Sequence, residues 1–278
     1  AGPASHVILT FVLFILWLIL PAWVPGHRLF GPLIFANILL AAVSLFPYKA
    51  ATLAGMQGSD GWQLLHIPFM KESELTQHHV GYFLGEAVQL YRANDLAGAN
   101  EWVHKALSLD SNSGIARNIL GMIQMARREF ASSRETFLQL LGTENAKEPG
   151  LHYLLLNNIA YLDALLHDPS LFPEADQFSA EALKHMPWAG AIVGTRGTVL
   201  AEMGQLDEGI VLLKKSMAMH PEKQGKALNA CHIASGELRR GDHEEASKYL
   251  ATAKVLDPDC FLIAEVEAQM AKMVNERQ

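Results

Sequence analysis

The stretch GMQGSDGWQLL, residues 55 to 65, sets one acid, Asp60, in a glycine turn just beyond a strongly apolar region. Asp-Gly is a frequent turn pair, because Asp bonds its neighbouring backbone and Gly accepts left-handed dihedrals. A carboxylate beside a bilayer has a second reading. Ionised there, it is costly unless paired or bound to metal. Gly58 and Gly61 would let the backbone fold tightly around it. The other groups that could do chemistry are dispersed. His78 and His79 are adjacent, so on a helix they point about 100° apart. His66, His152 and His232 stand singly and read as core or surface histidines. Cys231 and Cys260 show neither zinc spacing nor a disulfide framework. They suit a reducing compartment. No HExxH occurs in the 278 residues, so the chain carries no two-histidine metal helix.

Half of the residues are hydrophobic and 18% are charged, which leans toward a partly membrane-embedded protein. The net charge of −7 argues against a nucleic-acid binder, which is normally basic. Residues 5–24, SHVILTFVLFILWLILPAWV, contain no Asp, Glu, Lys or Arg. That is the ~20 residues a helix needs to cross the hydrocarbon core. After the turn PGHRLFG, residues 29–48 form a second apolar run. The expectation is two helices in a lipid bilayer, where each backbone must satisfy itself. A buried hairpin of a soluble protein is the alternative. Trp23 and Tyr48 fall near the expected ends, where aromatic rings favour the interface. Arg28 and Lys49 are too few charges to orient the pair.

From about residue 80 a period near 34 appears. Gly121 follows Ala87 by 34, and Pro221 follows Pro187 by 34. Small residues recur where paired helices approach, and proline recurs where the second helix stops. The units are 80–113, 114–147, 152–187, 190–221 and 227–258, and residues 261–277 read as a capping helix. This pattern resembles the tetratricopeptide repeat (TPR) family. The resemblance implies a right-handed superhelix of helix pairs with a groove for a protein or peptide partner. The expected fold class is all-α: a two-helix transmembrane segment, then a TPR solenoid of about five repeats with a C-terminal cap. The expected domains are 1–75 and 76–278. Candidate groove residues are Arg117, Asn118, Asn157, Asn158 and Arg196, polar positions on first helices. Asn is an uncommon choice inside a helix, and an amide can bind a peptide backbone. Solvated or within-repeat roles stay open for all five.

The apolar third also has an ordered set of short elements. Ala1, Gly2 and Pro3 come first, then a helix with Asn37 ending Ser44-Leu45-Phe46-Pro47, then Asp60-Gly61. The set resembles the C-terminal part of the site-2 protease family, intramembrane zinc metalloproteases. His6 and Ser44 stand where that family carries Asn, and Asn37 is the candidate replacement for holding substrate. The resemblance implies that Asp60 is the third ligand of a catalytic zinc. The other two ligands would be histidines of an upstream HExxH helix, with a fourth position open for water. It follows as an expectation that this chain is the C-terminal part of a longer membrane protease. Such an enzyme hydrolyses peptide bonds in or near the bilayer, and its repeats recruit a partner or substrate. This chain alone holds no catalytic residue and would be inactive. The alternative is a non-catalytic, membrane-anchored TPR scaffold. Either way the expected location is an integral membrane one, with the repeats in the cytoplasm.

Overall fold

The computed structural model describes residues 3–46, 48–52 and 55–275. They fall into two compact units, Ala1–His79 and Val80–Gln278.

In the first unit, helix α1 (Pro3–Ile19) and helix α2 (Phe30–Leu45) pack as an antiparallel pair. α1 stops well short of the expected residue 24. Pro21 has no N–H to continue the ladder, and the chain turns instead through Val24 N–H to the Pro21 carbonyl (3.0 Å) and His27 N–H to the Val24 carbonyl (3.1 Å). A 3-10 turn, His27–Leu29, leads into α2. α2 ends at Leu45 rather than 48. Phe46 is extended (φ −66°, ψ 126°), the conformation favoured before proline. Pro47 itself, like Ala1 and Gly2, lies outside the described residues. The two expected spans therefore become unequal. His27–Leu45, 19 residues with mean hydropathy 1.8, is long and apolar enough to cross a membrane, whereas Ser5–Ile19 is a shorter apolar helix. Both helices leave large apolar side chains uncovered, among them Phe11, Leu18, Phe35 and Leu39.

A short hairpin follows that the periodicity did not indicate. Strand β1 (Lys49–Thr52) pairs antiparallel with β2 (Gly55–Gly58), Lys49 opposite Gly58 and Thr52 opposite Gly55. Helix α3 (Asp60–His66) closes the segment.

The second unit is a stack of helix pairs. They are α4 (Glu72–Arg92) with α5 (Leu96–Leu109), α6 (Gly114–Ala126) with α7 (Phe130–Leu141), and α8 (Pro149–Leu165) with α9 (Phe172–His185). Then come α10 (Gly190–Glu202) with α11 (Leu206–Met219), α12 (Lys223–Arg240) with α13 (His243–Leu256), and a last helix α14 (Ile263–Asn275). The turn within each pair is built the same way. One residue takes a left-handed φ: Asn94, Arg128, His167, Gly204 and Gly241 in succession. Side-chain caps start several helices, such as Asp95 to Gly98 N–H and Asp242 to Glu245 N–H.

The small residues of the repeat have the packing role expected of them. A Cβ on Gly121 would lie 2.6 Å from the Phe137 ring, and one on Gly197 would lie 2.8 Å from the Gly209 carbonyl. Ala87, Ala99, Ala175, Ala182, Ala246 and Ala253 are fully buried. Large side chains fill the space between pairs, with Phe137, Leu140, Leu155, Ile159 and Leu162 in one cluster. α14 covers the open end: Ile263 and Val266 pack with Leu262 and Cys260 onto Ala227, Ala230 and Leu250. The two thiols, distant in sequence, are buried side by side with Sγ atoms 3.8 Å apart.

Candidate partner-binding groove

The first helices of successive pairs share one face, and three of them line a cavity of about 190 Å³. α8 contributes Asn157, Asn158 and Tyr161. α10 contributes Ala191, Gly194, Thr195 and Thr198. α12 contributes Gly225, Leu228, Asn229 and His232. Within each helix the spacing is i, i+3, i+4, i+7 or part of it, which keeps the residues on one stripe. Between α10 and α12 the whole set recurs after 34 residues. The repeat therefore places equivalent positions side by side. Met125 of α6 and His220, at the end of α11, complete the lining.

Elements distant in sequence also meet within the repeat unit. The Phe130 and Phe261 rings lie 6.0 Å apart, and the Arg128 guanidinium sits 5.4 Å over Phe261. The corner of the α6–α7 pair thus meets the segment that leads into α14.

Most polar groups of the lining are already engaged. Asn229 donates to Ser216 Oγ (3.0 Å) and to the Gly225 carbonyl (2.9 Å). Thr198 donates to the Gly194 carbonyl. Tyr161 Oη and His232 Nε2 are 3.2 Å apart. Burial pushes the Tyr161 phenol well above its ordinary range. Burial also drives His232 down to about 4, against the opposing pull of Glu202 and Glu265, so its ring is neutral at pH 7. Asn157 differs. Its amide nitrogen donates to Asn158 Oδ1 (3.2 Å), yet its own Oδ1 is buried with no hydrogen-bond partner. No Asp, Glu, Lys or Arg is among the described residues of the lining.

Of the residues expected in the groove, Asn157 and Asn158 line this cavity. Asn118 holds the position on α6 equivalent to Asn157, but it is not part of the lining. Arg117 and Arg196 lie outside this lining. Arg117 is turned to the preceding loop and donates to the Ser111 carbonyl (2.9 Å). Arg196 is held by α9, through Asp176 Oδ1 (2.6 Å), the Asp176 carbonyl and Ser179 Oγ. It adjoins Thr195 in sequence, but about 100° of helix rotation sends it to the other side. Thr195, Thr198, Asn229 and His232 were not foreseen. The signal that could have found them is the Asn158 and Tyr161 register, carried forward by one and two repeats.

A polar clamp lies close by. His167 Nδ1 is 3.0 Å from Glu202 and Nε2 is 3.3 Å from Glu265. Both ring nitrogens donate only when the imidazole is protonated. The two carboxylates, Glu202 first, hold His167 up at about 10. Burial would raise Glu202, but His167 and Arg239 outweigh it and lower that carboxyl; His167 also lowers Glu265. The clamp ties the α8–α9 turn to α10 and α14.

In the first unit, the Ser-Asp-Gly turn is built with care around its acid. Ser59 Oγ donates to the Phe46 carbonyl (2.6 Å) and accepts from Tyr48 N–H (3.1 Å) and Trp62 N–H (3.2 Å). A Cβ on Gly61 would fall 1.6 Å from the Leu45 carbonyl oxygen, so only glycine fits there. Together they pin the first turn of α3 against the end of α2. Asp60 opens that turn; its side chain lies outside the described residues. Asn37 is buried, takes a hydrogen bond from His6 Nδ1 (3.0 Å) and donates to the Leu33 carbonyl. It joins α1 to α2. Among the described residues no three His, Cys, Asp or Glu converge as a metal site requires.

No family model and no curated protein matches the sequence. Solved structures do. TTC0263, a thermophilic TPR protein in Thermus thermophilus, superposes with a TM-score of 0.54 at 19% identity, over 69% of this chain and 99% of that one. The repeats form a TPR solenoid. Two further neighbours align at lower scores. YrrB, a TPR protein with an unusual peptide-binding site, has TM-score 0.40 and 22% identity over 67% of this chain and 90% of that one. Residues 41 to the end of MamA from Desulfovibrio magneticus RS-1 have TM-score 0.46 and 13% identity over 65% and 96%. The first-helix face of this solenoid carries the cavity.

Proposed function

We propose that the chain is a membrane-anchored TPR adaptor that binds a protein segment along the first helices α8, α10 and α12. The observation that carries this reading is the shared register of the lining, which offers a continuous stripe of polar positions rather than one isolated pocket. The apolar helix His27–Leu45 supports the anchor, and the repeats would face the cytoplasm. A defined panel of labelled peptides titrated onto the full chain in detergent tests the groove. Asn158→Arg, which fills the cavity, is expected to abolish the binding. Val255→Arg, on an 84% exposed site of α13, is expected to leave it unchanged. The reverse pattern rejects the groove.

A second reading has its own support: the clamp of Ser59 and Gly61 that holds Asp60 at the end of α2. Under it, the first unit is the C-terminal part of a membrane zinc metalloprotease, and Asp60 is one of three zinc ligands. The repeats then recruit its substrate or a regulator. The test needs a longer protein with an HExxH segment upstream. Asp60→Ala there should abolish proteolysis and weaken zinc binding while the repeats stay folded. Unchanged cleavage would reject the ligand role. Asn37→Ala would weaken substrate holding, or loosen only the α1–α2 contact if the hydrogen bond to His6 is its whole role.

A further inference from the structure

Cys231 on α12 and Cys260, just ahead of α14, lie outside the groove lining. They are the chain's two cysteines. Though 29 positions apart, their Sγ atoms stand 3.8 Å from each other in the core of the last repeat. A disulfide has an S–S distance of about 2.05 Å, so closing one asks for a shift of less than about 2 Å. Both thiols are buried, yet the pair is not sealed. A cavity of about 10 Å³ touches Cys231, room for about one water. His167, Glu202, Ser235 and Glu265 line it, and the same four line an outer cavity of about 150 Å³, so the two adjoin. This path suits an oxidant little larger than water. The hydrogen bond from Cys231, seconded by the Leu262 N–H, pulls the Cys260 thiol down to about 7 against its burial. The same bond, with burial, pushes Cys231 up. Near neutral pH the pair therefore holds a thiolate beside a thiol.

We propose that Cys231 and Cys260 are a site of reversible oxidation by hydrogen peroxide, whose disulfide staples the capping helix to α12. Peroxide reaches Cys231 through the small cavity. The Cys231 proton passes to the Cys260 thiolate as the Cys231 sulfur attacks one peroxide oxygen. The O–O bond breaks, hydroxide leaves, and Cys231 becomes a sulfenic acid. The hydroxide takes the proton back from Cys260, forming water. The Cys260 thiolate then attacks the Cys231 sulfur, the S–S bond forms, and the S–O bond breaks to release a second hydroxide. From two thiols and one peroxide come one disulfide and two waters. Both sulfurs are oxidised and the peroxide is reduced. In a reducing compartment such a bond is transient and redox-sensing, and thiol exchange reopens it. While closed, it fixes Leu262, Ile263 and Val266 of the cap on Ala227 and Ala230 of α12. Tyr161 packs on that same cluster and lines the groove, so the switch backs onto the groove wall.

The test treats the reduced full chain, in detergent and freed of reductant, with hydrogen peroxide at neutral pH. Remaining thiols are alkylated and the chain is cut with trypsin. Arg239, Arg240, Lys248 and Lys254 lie between the cysteines, so the fragments 227–239 and 255–272 stay joined only through a disulfide. They should be found joined. The intact mass should fall by two hydrogen atoms. The melting temperature should rise by about 5–10 °C, because the bond restricts the unfolded chain, and dithiothreitol should reverse it. Cys260→Ala should give neither the joined fragments nor the rise; the readouts on the natural chain stand even if that variant fails to fold. Glutathione disulfide, too bulky for the path to Cys231, should oxidise the folded chain more slowly than peroxide at equal concentration, and equal rates would overturn the small-oxidant path. Oxygen adducts without joined fragments, fragments joined only between two chains, or a folded chain that peroxide leaves unchanged would each overturn the proposal.

Discussion

His167 makes the stability of the repeats depend on pH. It bridges Glu202 and Glu265 at 3.0 and 3.3 Å, so one ring joins the α8–α9 turn to α10 and α14. The displacement from 6.5 to about 10, taken whole, would amount to about 5 kcal/mol. That figure is too large, because the His167 side chain is 48% exposed. Exposed pairs contribute about 0.2–1 kcal/mol each. With Glu202 only 13% exposed, the two bonds together come to about 1–2 kcal/mol. The substitution His167→Asn removes the charge and keeps a residue that tolerates the left-handed φ of 51° found there. The sign follows from the raised folded-state value. The stabilisation is full below about pH 6.5, declines as pH rises, and is gone above about pH 10. At the acid end it is lost again as Glu202 and Glu265, both lowered, finally take up protons. Thermal melts of both proteins, followed by circular dichroism from pH 5 to 10.5, should show a gap near neutrality that closes toward pH 10. Equal stability at pH 6, or a gap that widens on the alkaline side, would refute the clamp.

Two further substitutions probe close contacts. Gly61→Ala puts a methyl where the Leu45 carbonyl stands, which should cost about 3 kcal/mol. It should expose the segment 49–66 to limited proteolysis while the repeat unit melts as before. In the core, Gly121→Ala drives a Cβ to 2.6 Å from the Phe137 ring and Phe137→Ala should cost about 3–5 kcal/mol. The pair Gly121→Ala with Phe137→Leu should be more stable than the two single losses added together, because the smaller side chain makes room; strict additivity in denaturant titrations would contradict that contact.

Much of the repeat unit was legible because its determinants are local. Gly204 and Gly241 mark turns on sight, and the same turn at Asn94 and Arg128 follows from the 34-residue period. Pro187, Pro221 and Pro258 close the second helices for a reason contained in one residue. The apolar pair was legible as a pair, but its lengths were not. Pro21 sits inside the apolar run and ends α1 by lacking a donor, a local effect that average hydropathy hides. The paired strands β1 and β2 carry no alternating pattern, since Ala, Gly and Met set no strong period.

The candidate site divides along the same line. Composition and period alone determined that a solenoid of helix pairs would form and that Asn157 and Asn158 would fall on a first helix. Only the tertiary structure decided which neighbours share their cavity. Arg196 and Thr195 are consecutive, yet one is held by Asp176 and the other lines the cavity. The Tyr161–His232 contact joins residues 71 apart, and His167 reaches Glu202 across 35. Phe130 meets Phe261 from 131 positions away. Helix periodicity places a side chain to within a face. The small rotation added at every repeat, summed over several pairs, decides which faces meet, and that sum is written in packing rather than in any single stretch of chain.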